Sequence, residues 1–127
     1  MNKNKMIIAA PIVWAAIVLW LHVGRMPSSE HASWLPPHTD KIVHFSMFMT
    51  LGFLHARAWM FLKKSPASFL FFITTSISLF YGASLEGLQS LLTYRGADVF
   101  DWMADGIGSI VGTTLATTRI WNSWWSK

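Results

Sequence analysis

The chain has 127 residues, 53% of them hydrophobic and only 13% charged, with eight Trp. A soluble domain carries about twice that share of charge, so a membrane class fits far better than a water-soluble one. The net charge of +4 rests on no basic cluster larger than Lys63-Lys64, which argues against nucleic acid, and without cysteine neither disulfides nor thiolate metal sites can form.

Four stretches are long and apolar enough to span a bilayer, which takes about 20 residues each. The first is Met6–Val23. Lys3 and Lys5 precede it as in a signal peptide, but the run is long, contains Pro11 and ends in "LHVGRMPSS" without a small-x-small cleavage pattern. A retained span is therefore expected. His22, at its end, and His31 beyond it show no ligand spacing and read as ordinary interfacial or loop residues.

Residues 24–40 form the one long connection. Its "PPHTD" segment predicts an extended approach to the second stretch, Ile42–Leu62, with Thr39 or Asp40 as N-cap. "KKSPAS" is a short turn, with Ser65 or Ser68 as cap of the third stretch, Ser68–Leu92. "TYRGADV" turns tightly around Gly96 into the fourth, Val99–Trp121. Asp98 is placed to cap that helix, with Asp101 three positions on as in a capping box. Gly108 and Gly112, flanked by Ala104 and Ala116, form a small-residue stripe that lets membrane helices approach closely. Packing within a monomer is favoured over a dimer through Gly108 and Gly112.

With four spans the two termini share one side, which holds Lys3, Lys5, Arg57, Lys63, Lys64, Arg119 and Lys127. The other side has Arg25, Lys41 and Arg95, so the positive-inside rule puts both termini in the cytoplasm. Every acidic residue falls in the outer half: Glu30, Asp40, Glu86, Asp98, Asp101 and Asp105. Spacing aligns them. Asp98, Asp101 and Asp105 follow i, i+3, i+7; Glu86 and Gln89 are i, i+3; Asp40 and His44 are i, i+4. A rise of about 1.5 Å per residue sets Glu86 and Asp105 at one depth, about 9 Å below the outer edge. Acids in hydrocarbon are costly, so a polar pocket open to the outside is expected, with Arg95 and Lys41 as its cations.

These residues, in this order, resemble the VanZ-like family of small bacterial membrane proteins. The matching pieces are "DKIVHF" (Asp40, Lys41, His44), "LGF" (Gly52), "EGLQ" (Glu86, Gln89) and "RGADVFDWMADGIG" (Arg95, Asp98, Asp101, Gly108), within about residues 35–115. Relatives typically carry Asn where this chain has Asp105. The resemblance implies one all-α domain over residues 1–127 in the bacterial cytoplasmic membrane and a cell-envelope role; the founding member is associated with teicoplanin resistance.

The candidate ligand-binding set is Asp40, Lys41, His44, Glu86, Gln89, Arg95, Asp98, Asp101 and Asp105. The leading expectation is that it binds or modulates an envelope ligand: a lipid headgroup, a peptidoglycan precursor or a glycopeptide antibiotic. Arg95 and Lys41 would then engage phosphate, and Trp34 or Trp102 the apolar parts. Two alternatives stand beside it. One is a metal-assisted hydrolase or transferase acting on a lipid-linked substrate, with a divalent cation on His44, Glu86, Asp101 and Asp105. The other is a purely structural cluster that staples helices together.

Overall fold

In a computed structural model, residues 3–24, 36, 38–63, 65–92 and 96–118 are described. They form four helices: α1 (Lys3–Val23), α2 (Thr39–Leu62), α3 (Ala67–Leu92) and α4 (Val99–Thr117), with no strand among the described residues. Each predicted stretch is one helix. α4 stops at Thr117, short of the predicted Trp121, which lies outside the described residues. Its last carbonyls are taken by threonines: Thr117 Oγ1 donates to Thr113 O and Thr114 O, and Thr118 Oγ1 to Leu115 O. Such bonds satisfy acceptors that a helix end leaves free.

The start of α2 departs from expectation. Neither Thr39 nor Asp40 is its N-cap; that position is His38, in the left-handed region at φ 65° with no side-chain cap bond. Thr39 donates through both its amide and its hydroxyl to Pro36 O, and Asp40 turns to Lys41 instead. At the α2–α3 turn, Ser65 Oγ accepts from Trp59 Nε1 at 3.4 Å.

α2 and α4 are the closest pair and run in the same direction. Glycine makes that approach possible. A Cβ on Gly108 would strike the Phe45 carbonyl, and one on Gly112 the Met49 carbonyl. From the other side, a Cβ on Gly52 would lie 2.5 Å from Ser109 O. The small-residue stripe is therefore spent within the chain, against α2, and both its glycines are buried.

The remaining helices are tied on by polar side chains. Trp14 Nε1 donates to Met47 O at 2.9 Å and Tyr81 Oη to Ala15 O at 2.6 Å, fastening α1 to α2 and α3. Thr74 and Thr113 hydroxyls pair at 2.9 Å between α3 and α4. Val18, Phe48, Leu51 and Leu85 form an apolar core beside them.

The surface is more apolar than that of a water-soluble bundle, and the interior mixes apolar with polar side chains. Large apolar side chains face outward on all four helices, among them Ile12, Ile42, Phe80 and Ile107, while Thr74, Ser78, Asp105, Ser109 and Thr113 are buried. α1, over Asn4–Val23, and α3 are long and apolar enough to cross a membrane. α2 and α4 carry most of the ionisable residues of the bundle.

Candidate functional site

Two linked groups of ionisable side chains occupy the end of the bundle where α2 and α4 begin. The first surrounds Lys41, whose Nζ donates to Asp98 Oδ2 at 2.9 Å, Asp101 Oδ1 at 2.9 Å and Asp40 Oδ2 at 3.1 Å. An ammonium has three donors, so all of them are engaged. This changes the part expected of Lys41: it neutralises carboxylates and has no donor left for a phosphate. Arg95, its expected companion, and Trp34 lie outside the described residues.

Asp98 caps α4 as its position predicts, with Oδ1 accepting from Phe100 N at 2.8 Å. The reciprocal half of the capping box comes from elsewhere. Asp101 is turned to Lys41, and the Asp98 amide donates at 2.9 Å to Glu86 Oε2 on α3. The hydrogen bond from Lys41, then the one from Phe100 N, hold the Asp98 carboxyl below the usual carboxylate range.

The second group lies deeper. His44 Nδ1 is 2.9 Å from Asp105 Oδ1, and His44 Nε2 is 3.7 Å from Asp101 Oδ2. Asp101 therefore joins the two groups, with one oxygen on Lys41 and the other facing the imidazole. Asp105 is completely buried, at 0% exposure. Its Oδ2 lies against Gly82 of α3, where a Cβ would come within 2.8 Å. Gln89 is buried one turn beyond Glu86. Trp102 is anchored through Nε1 to Leu79 O at 2.9 Å and keeps part of its ring at the surface.

His22, set aside by its lack of spacing, belongs here. It is buried at the end of α1, its ring edge-on to His44 with centroids 4.8 Å apart. Its Nδ1 donates to Val18 O at 2.8 Å. Spacing cannot reveal a residue that stands alone on its helix. Depth could have: His22 is the penultimate residue of α1, on the side where the acids gather.

The set of residues able to hold a metal differs from the expected one. One atom each from His22, His44, Glu86 and Asp105 lie within 4.8 Å of one another, all four residues buried. Asp101, expected in that set, is held instead in the ring of Asp40, Asp98 and Asp101 around Lys41.

The described residues form a small all-helical protein with an inward-facing polar centre, two of whose helices are long and apolar enough to cross a membrane. The sequence model of the VanZ/LLP1 family matches residues 6–122, nearly the whole chain, and the chain belongs to that family. The match takes in α1, so His22 lies within the family unit, beyond the span of about 35–115 that the motifs alone delimit. No curated protein and no solved structure matches the chain.

Proposed function

We propose that the chain is a multi-pass protein of the bacterial cytoplasmic membrane, with four spans and both termini cytoplasmic, whose polar centre engages an amphipathic cell-envelope ligand at the outer face. Apolar side chains facing outward on every helix support four spans, because lipid takes the place of water around them. The distribution of Lys and Arg supports the orientation.

The observation that carries the ligand reading is the balance of charge around Lys41. Asp40, Asp98 and Asp101 outnumber the one lysine among them, and Lys41 has no donor to spare. A centre of this kind suits a ligand that brings an amine, with Asp40 and Asp98 as the partly exposed acceptors. An aminophospholipid headgroup, a peptidoglycan precursor and a glycopeptide antibiotic can each present one. A groove of about 480 Å³ between the helices, lined by Ala15, His55, Ile77, Phe80, Tyr81 and Ser84, offers a mostly apolar surface for a chain attached to such a headgroup.

Thermal unfolding of the detergent-purified protein tests this. Phosphatidylethanolamine, a lipid-linked peptidoglycan precursor or teicoplanin should raise Tm, whereas phosphatidylglycerol should not, and Asp40→Asn with Asp98→Asn should remove the response. A wild-type protein indifferent to all three amine-bearing compounds would refute the reading.

A further inference from the structure

We infer that His22, His44, Glu86 and Asp105 form a closed site for one divalent transition-metal ion, Zn²⁺ by preference, that ties all four helices together. This inference is independent of the envelope-ligand reading: it uses a deeper set of residues and needs no external organic ligand.

Each helix supplies one side chain: His22 from α1, His44 from α2, Glu86 from α3 and Asp105 from α4. Their candidate ligating atoms already lie within 4.8 Å of one another. Bundles build metal sites in this way, from inward-facing Glu and His on neighbouring helices. Two imidazoles with two carboxylates suit a borderline ion such as Zn²⁺, since Mg²⁺ and Ca²⁺ prefer shells made of oxygen alone.

Unmet valence points to the same ion. Glu86 Oε1 and Asp105 Oδ2 are buried with no hydrogen-bond partner among the described residues. Both residues are at least nine-tenths buried, Glu86 at 5% exposure. Leaving carboxylate oxygens unsatisfied away from water is expensive, and a divalent ion would answer both and balance two negative charges. Gly82 leaves Asp105 Oδ2 room that any other residue would fill.

The imidazoles are oriented as ligands are. A carbonyl can only accept, so His22 Nδ1–H donates to Val18 O and the neutral ring carries its lone pair on Nε2. On His44, Nδ1 faces Asp105 and Nε2 faces Asp101. Nδ1 is thus the ligating atom, on the side of the ring that faces Asp105. Asp101, fixed by Lys41, stands behind the ring as a positioning carboxylate. Four protein ligands leave no open coordination position, so the ion holds structure together and does not activate water.

The test uses the full-length protein in detergent, stripped with a chelator and dialysed against Zn²⁺ in the absence of any envelope ligand. Elemental analysis should give about one Zn²⁺ per chain, Zn²⁺ should raise Tm, and Co²⁺ should produce tetrahedral d–d absorption. His22→Gln should abolish all three signals. Asp105→Asn gives the second arm: it should match or exceed the wild-type Tm in chelator, because it removes a buried charge, yet gain nothing from Zn²⁺. Asp101→Asn should keep the stoichiometry while weakening affinity about 10–100-fold. Wild-type protein that retains no Zn²⁺ and shows no Tm response, or an Asp105→Asn variant that binds Zn²⁺ as well as wild type, would overturn the site. Neither result bears on Asp40 and Asp98, whose variants test the envelope ligand.

Discussion

His44 and Asp105 meet across the α2–α4 interface, Nδ1 to Oδ1 at 2.9 Å, with both side chains buried. Each is the other's main polar neighbour, so removing one strands the other. His44→Leu should cost about 3–5 kcal/mol, the loss typical of breaking a buried pair. Asp105→Asn keeps an acceptor for Nδ1 while removing a buried charge, and should cost nothing. Chemical or SDS unfolding in chelator, where no ion contributes, separates the two.

Lys41 serves three carboxylates, one of which, Asp101, is buried. Lys41→Met should destabilise the protein by about 2–3 kcal/mol, below the figure for a fully buried pair because Lys41, Asp40 and Asp98 are partly exposed. Lys41→Arg should rescue only part of that loss, since a planar fork cannot point three donors at three converging acids. Equilibrium unfolding of both variants measures the difference.

Glycine substitutions should divide sharply by position. Gly112→Ala drives a methyl group into the Met49 carbonyl, backbone that can yield only if α2 and α4 separate. A loss of at least about 1–3 kcal/mol is expected. Gly87→Ala on α3 meets nothing within 4 Å and should stabilise by about 0.5–1 kcal/mol through its helix propensity. Similar Tm values for the two variants would contradict the packing described above.

Acid should weaken the start of α4 through Asp98. Its carboxyl is held below the usual range in the folded protein, by Lys41 and then by Phe100 N, so the folded state favours its ionised form. The resulting stability is complete above the unfolded carboxylate pKa of about 4 and is lost as pH falls through the lower folded value. Asp98→Asn should therefore be less stable than wild type at neutral pH and should flatten the acid limb of a Tm-against-pH curve below about pH 4.

Glu86 ties the start of α4 to α3 by accepting from the Asp98 amide. In chelator, Glu86→Gln retains an acceptor and should remain close to wild type. Glu86→Leu leaves the amide without its partner and should cost about 1–3 kcal/mol. Equilibrium unfolding of the two variants in chelator measures the difference.

Much of this organisation is legible in the sequence. Apolar runs broken by Pro and Gly delimit four helices, and Asp98 before "VFDWMADG" announces its cap. Helical spacing puts Asp101 with Asp105, and Asp40 with His44, on shared faces. What spacing leaves out is the choice of partner. The capping box suggested by Asp98 and Asp101 is completed by Glu86, which lies on another helix. Lys41 looks like a cation free for a ligand until three carboxylates from two helices are seen around it. His22 has no periodic companion and becomes informative only when the end of α1 is set beside His44. Residues 93–95, including Arg95, lie outside the described residues.

The glycine-to-carbonyl fit between α2 and α4 has a mechanical corollary. Helices seated so tightly cannot slide past each other without first parting, so this pair behaves as one rigid keel. α1 is fastened more sparingly, by Trp14 and Tyr81 along its length and by His22 at its tip. Strain on the bundle should therefore fall first on the contacts of α1 and last on the α2–α4 pair.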